Sequence, residues 1–282
     1  MLNALTVDVE DYFHVQAFAG VIRPSEWHRY PSRVESNTLR LLEMLARRGV
    51  RATFFVLGWV AQQCPALIRR ISTAGHRIGC HGYDHQAIYH GGEMHFRQDV
   101  RRAKEVLQDV VGVAVKSYRA PSYSITAKTL WALEILGEEG FEYDSSIFPV
   151  FHDNYGIPDA PRFPHLKALE GGRGIAEFPP STLRFFGVNL PVAGGGYLRL
   201  LPYSFTAWAI RRINDREQQP AMVYLHPWEI DPEQPRIAAP WRSRFRHYQN
   251  LSSTAAKVDR LMEDFCWAPM EQVLSQALAR PN

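Results

Sequence analysis

Ala52-Thr53-Phe54-Phe55-Val56-Leu57 is apolar on both sides, as a strand covered on both faces has to be. Its neighbours repeat one alternation. Upstream, Thr38, Leu41, Leu42, Leu45 and Ala46 fall at helical spacing, with Ser36 or Ser32 as cap and Gly49 as stop. Further upstream, Leu5, Val7 and Val9 alternate with Thr6, Asp8 and Glu10, the period-two pattern of a strand. Downstream, Pro65 opens a helix through Ile68 and Ile71 to Gly75, and Arg77 to Cys80 form a strand that delivers His81. Strand and helix in turn argue for parallel βα units.

The alternation continues with a helix from about Glu93 to Val111, whose stripe is Phe96, Val100, Ala103, Val106, Leu107 and Val110. Thr126 caps a helix from Ala127 to Glu139, and Phe141 to Asp144 reads as a short strand. Periodicity then fades between Ser145 and Pro202, leaving at least one strand, Gly174 to Phe178. So long an irregular run reads as a functional wall or lid. Beyond it come a helix at Tyr203 to Arg212, a buried strand at Ala221 to Leu225, a helical face of Val258, Leu261, Met262 and Phe265, and a closing helix at Met270 to Leu278. We expect a single domain over residues 1–282, in which 145–282 includes a C-terminal elaboration.

Composition excludes several classes. At 46% hydrophobic and 22% charged the 282-residue chain is ordinary globular protein. A net charge of +3 is too weak a bias for nucleic acid. Trp241 to Tyr248 interleaves arginine with aromatics, which reads as a solvated loop packing its aromatics inward. Cys64, Cys80 and Cys266 form no disulfide framework and suggest a reducing compartment. No apolar run approaches the roughly 20 residues that span a bilayer, and residues 1–8 lack the basic start of a secretory leader. The expectation is a cytoplasmic protein.

Candidate functional residues gather at strand ends. Asp8, Glu10 and Asp11 close the first strand, His81 and His85 follow another, Arg119 precedes Pro121, and His226 ends the last. In β/α barrels those ends face a common bowl. Three carboxylates in four residues call for a cation. Two histidines with one carboxylate, other positions open, suit a catalytic divalent metal. Bound metal acidifies water and polarises a carbonyl. A second carboxylate as base and a histidine as acid complete a set for amide or ester hydrolysis.

The order acid cluster, His81-x-x-x-His85, Arg119-x-Pro121-x-Tyr123, Tyr143-Asp144-Ser145-Ser146 and Leu225-His226 resembles the polysaccharide deacetylases, carbohydrate esterase family 4, also called NodB-homology proteins. Thr6 to Phe13, with Gly194 to Pro202, is similar to a branch associated with exosortase and PEP-CTERM exopolysaccharide loci. The resemblance implies an α/β fold, a distorted β/α barrel of about seven parallel strands. It implies that His81, His85 and Asp11 hold a divalent metal, zinc foremost, that Arg119 supports the base, that His226 is the acid, and that a main-chain N–H near Tyr123 serves the oxyanion. The base is left between Asp8 and Glu10. If an Asp-x-Asp pattern is followed instead, Asp8 is the base and Glu10 the ligand. The implied partner is an N-acetylated glycan or its precursor, with O-acetyl groups second. Other readings are a catalytically silent carbohydrate-binding or assembly factor and an allantoinase-like amide hydrolase. Sugar, linkage and oligomeric state are not legible.

Overall fold

The computed structural model describes residues 1–153, 155–192 and 194–279. Its first half alternates as expected: β1 (Leu2–Val9), α1 (Val34–Arg48), β2 (Thr53–Val56), α2 (Gly58–Gln63), α3 (Pro65–Thr73), β3 (Arg77–Cys80), α4 (Gly92–Val111), β4 (Ser117–Tyr118), α5 (Trp131–Glu138) and β5 (Tyr143–Asp144). The second half holds β6 (His165–Ala168), β7 (Gly174–Glu177), β8 (Thr182–Phe185), β9 (Val188–Pro191), α6 (Gly195–Leu200), α7 (Tyr203–Asp215), β10 (Met222–Leu225), α8 (Trp241–Tyr248), α9 (Leu251–Asp264), β11 (Cys266–Ala268) and α10 (Met270–Leu278).

The main sheet runs β10-β1-β2-β3-β4-β5-β7-β6, and every neighbour pair from β10 to β7 is parallel. Only β6 is antiparallel, on β7. β1 has β2 on one side; on the other β11 pairs with Leu2–Ala4 and β10 with Ala4–Val7. The sheet is a curled half-barrel, and the chain leaving β7 crosses its open side. There Ser181 bonds both main-chain groups of Met222, and Gly194 bridges Tyr224.

β2 shows why its residues are apolar throughout. Phe54 and Val56 pack beneath the helices, whereas Phe55 points into the barrel beside Ala4, Ala176, Phe178 and Met222. α1 buries Leu41, Leu42 and Leu45 and stops at Gly49, whose φ of 63° is a left-handed conformation that favours glycine. α5 begins four residues later than expected. The Thr129 hydroxyl donates to the Ser124 carbonyl and accepts from the Thr126 N–H, so side-chain bonds hold residues 124–129 in a turn.

One expectation is filled out and one is corrected. The run from Ser145 to Pro202 holds three strands besides β7, since β6 pairs β7 and β8 pairs β9. Residues 241–248 form helix α8 rather than a loop, and Trp241 and Phe245 point outward while His247 is buried. The spacing of four between those two aromatics puts them on one helix face. Among the described residues no helix is long and apolar enough to cross a membrane.

Gly79 lies under the Phe55 ring, and a Cβ there would come within 2.5 Å of that ring. Overpacking of this kind costs about 1–3 kcal/mol. Gly79→Ala should lose that much in urea denaturation, whereas Gly20→Ala, with no heavy atom within 4 Å of the new Cβ, should not.

Candidate active site

Arg119 follows β4 and lies wholly inside the barrel. A buried guanidinium needs several acceptors. It donates from Nη1 to Asp8 Oδ1 at 2.6 Å and Thr6 Oγ1 at 2.8 Å, from Nη2 to Ser145 Oγ at 2.9 Å, and from Nε to the Ser145 carbonyl at 3.2 Å. The Phe55 ring covers its face at 4.3 Å. Burial alone would lower its pKa, but the Asp8 charge more than compensates and raises it. One oxygen of Asp8 is thereby held, and Oδ2 faces His226 Nε2 at 3.9 Å.

Alternation along β1 sends Asp8 and Glu10 to the same side. Both are buried. Ligand atoms of Glu10, His81 and His85 lie within 4.8 Å of one another. His85 Nε2 approaches Glu10 Oε2 to 2.8 Å, yet Oε2 has no hydrogen-bond partner, so the contact is not aligned as a hydrogen bond. His81 Nδ1 lies 2.8 Å from the Arg119 carbonyl. A carbonyl only accepts, so Nδ1 carries the proton and Nε2 is left as a lone-pair donor. Burial holds the His81 pKa down to about 4, which keeps the ring neutral. Burial opposes the Glu10 charge, but His85 and His226 prevail and drive its pKa far below the carboxylate range. A carboxylate with two imidazoles fits a divalent metal.

Asp11 stands apart. Its Oδ2 accepts from Ser32 Oγ at 2.7 Å and from the N–H groups of Arg33 and Val34 at 2.7 and 3.0 Å, and Oδ1 accepts from the Tyr12 N–H. It satisfies donors at the start of α1. The expectation that Asp11 is the third ligand is therefore corrected: Glu10 joins the imidazoles, and Asp11 is turned away past the end of β1. The Tyr123 N–H itself donates to the Ala120 carbonyl at 3.1 Å. The Tyr123 ring packs against Tyr224 and Phe148.

His226, after β10, faces the acids from the opposite side. Its Nε2 is 3.5 Å from Glu10 Oε1, and Nδ1 is 3.1 Å from Glu229 Oε2. Glu229 also accepts from the His226 N–H at 2.9 Å and from Arg199 Nε at 2.7 Å. Burial would lower the His226 pKa, but Glu229 and Glu10 together lift it to about 9. Burial likewise works against the Glu229 charge, yet His226 and Arg199 hold its pKa down to about 2. Trp228 donates Nε1–H to Glu10 Oε1 at 3.2 Å.

Sequence reasoning gave Glu229 and Arg199 no role. Glu229 stands three residues after His226, where an acid can cap. No local signal marks Arg199. His14 was missed too: its Nδ1 accepts from the Asp11 N–H at 2.9 Å, and its buried Nε2 has no hydrogen-bond partner.

The geometry has counterparts. Residues 27–141 match the family model "Polysaccharide deacetylase", and residues 145–275 match a "Domain of unknown function (DUF3473)". A peptidoglycan-N-acetylglucosamine deacetylase of Bacillus cereus is 36% identical over 98 residues, 34% of this chain and 36% of that protein. The chain thus spans about a third of that curated relative's length. Among solved structures, a candidate polysaccharide deacetylase of Mycobacterium smegmatis superposes with TM-score 0.62 at 22% identity, covering 100% of this chain and 94% of its own. An allantoinase superposes with TM-score 0.61 at 14% identity, covering 100% and 91%. At those identities the two structures establish the half-barrel fold alone.

Asp11→Ala should lower stability by about 2–4 kcal/mol through lost charge-assisted hydrogen bonds, read by urea denaturation, with affinity for added divalent metal unchanged. Glu10→Gln should instead weaken divalent-metal binding, read by calorimetric titration. In chelator-treated protein, NMR titration of His226 should give a midpoint near 9. Since removing the neighbouring anion disfavours the imidazolium, Glu229→Gln should move that midpoint toward acid.

Proposed function

We propose that this chain, which contains a polysaccharide deacetylase domain over residues 27–141, hydrolyses N-acetyl groups, and O-acetyl groups less readily, on a sugar of an exopolysaccharide or its precursor. The observation that carries the reading is the convergence of Glu10, His81 and His85, with Asp8 and His226 flanking them. Glu10, His81 and His85 would hold a divalent metal, zinc foremost given two imidazoles and a carboxylate. Such a metal supplies acidified water and a polarised carbonyl.

The remaining roles fall to the chain itself. Asp8 Oδ2 takes the proton of the attacking water, with Arg119 holding the other oxygen and so the carboxylate plane. His226, kept protonated by Glu229, delivers a proton to the leaving amine from the opposite side. This assigns Asp8 as base and leaves Glu10 as ligand. Tyr123 serves as a wall beneath the acetyl group through its buried ring. We read residues 1–282 as one domain because β10 and β11 pair with β1, which joins the two ends of the chain in one sheet. The three cysteines are free, which supports action in a reducing compartment such as the cytoplasm. The link to exopolysaccharide loci rests on the motif resemblance.

Acetate release from N-acetylglucosamine oligomers should appear with zinc and vanish with a chelator; activity surviving complete metal removal would refute the metal-dependent reading. Asp8→Asn and His226→Ala should each lower kcat by roughly 10² to 10⁴ with little change in KM, the range for one proton-transfer group.

A further inference from the structure

We propose that the face formed by the β8–β9 hairpin, the loop bearing Phe151 and the outer side of α8 docks on an anionic phospholipid surface. This face holds the most exposed aromatic residues of the chain: Phe186 at 93%, Phe151 at 84%, Trp241 at 71% and Phe245 at 60%. Phe185, Val188 and Leu190 add exposed apolar area. Contiguous exposed apolar surface of this kind marks an interaction site.

The hairpin and the loop form one surface, and α8 lies near it. Phe151 and Val150 share a shallow cavity with Arg184, Gly187 and Val188 of the hairpin. Asn189 of β9 donates to the carbonyls of Pro149 and Pro158. On the other side Arg246 of α8 lies close enough to act electrostatically on His152 and Tyr155 of the same loop.

Basic charge dominates it: five exposed arginines stand against Asp153 and Asp159, the exposed acids of the loop bearing Phe151. Arg184, Arg236, Arg242, Arg244 and Arg246 are exposed, and among the described residues none pairs with a carboxylate. No acidic residue occurs from 178 to 214 or from 234 to 258. Aromatic tips among arginines fit the interface of a bilayer with anionic headgroups. The hairpin turn supports insertion rather than stacking on a sugar. Phe186 and Gly187 connect the paired Phe185 and Val188, both with positive φ, and a bulky residue there is strained. It leaves the Phe186 ring almost fully exposed at the hairpin tip, in edge contact with Phe185. A second copy of the chain is disfavoured as occupant, since a symmetric contact would bring two such sets of arginines together.

Docking would bring the buried site to the lipid surface. His247 on the inner side of α8 stacks on Trp228 at 4.2 Å, and Trp228 donates to Glu10. The proposal stands whether or not the site deacetylates.

The test is flotation of the full chain with vesicles of phosphatidylcholine alone or with about 30 mol % phosphatidylglycerol. Binding should be at least about tenfold stronger to the anionic vesicles and should weaken as salt rises. Phe185→Ser with Phe186→Ser, and separately Trp241→Ala with Phe245→Ala, should each reduce binding about tenfold or more without shifting the melting curve. Arg242→Gln, Arg244→Gln and Arg246→Gln together should abolish the preference for anionic lipid. The proposal is overturned if vesicles are not bound, if these variants bind like the parent, if dextran sulfate alone is bound, or if the patch variants instead dissolve a dimer.

Discussion

A charged guanidinium inside the barrel is the constraint from which the rest of the site follows. Arg119 has no solvent to stabilise it, so Asp8, Thr6 and Ser145 are drawn around it from β1 and the end of β5. Removing one partner of such a pair strands a buried charge, which is far more costly than losing a surface salt bridge. Because the Arg119 carbonyl also orients His81, the same residue sets both the Asp8 carboxylate and one imidazole. Phe55, from the stretch that decides the fold, covers the guanidinium.

Neighbouring charge sorts the buried carboxylates. Glu10 faces imidazoles and is strongly acidic, and Glu229 faces His226 and Arg199 and stays ionised. Asp144 and Glu177 sit side by side in the β5–β7 ladder and face each other instead. Burial raises both of their pKa values, Glu177 well above its ordinary range, and each carboxyl's charge opposes the other's. The Glu177 carboxyl accepts the Ile147 N–H and thereby fixes the loop that continues toward Tyr155 and Phe151. Neighbouring charge thus pulls the pKa values of Glu10 and Glu229 down at the site, while burial pushes those of Asp144 and Glu177 up.

The part of the chain beyond residue 145 is more than a wall. It supplies His226, Trp228 and Glu229, and its Arg199 anchors Glu229 while also donating to the His247 carbonyl. The region matching the deacetylase model holds His81, His85 and Arg119 but neither Asp8 and Glu10 nor His226. The site therefore needs the first strand, the middle of the chain and the last third together, and the pairing of β1 with β10 is what brings them into register.

The sequence by itself determined the alternating strands and helices, the two histidines, the arginine and the late histidine, because those signals are local: periodicity, caps, and residues at the ends of apolar runs. It left open which of three neighbouring acids meets the imidazoles. That depends on where α1 begins, since the N–H groups of Arg33 and Val34 claim Asp11, and no pattern within residues 8–11 encodes a donor more than 20 positions away. The raised pKa of His226 likewise depends on Glu229 and Glu10, the first of them bonded by distant Arg199. The outward turn of Trp241 and Phe245 is decided by His247 taking the inner face of α8 against Trp228. Each of these outcomes rests on contacts between distant segments, which only the assembled fold specifies.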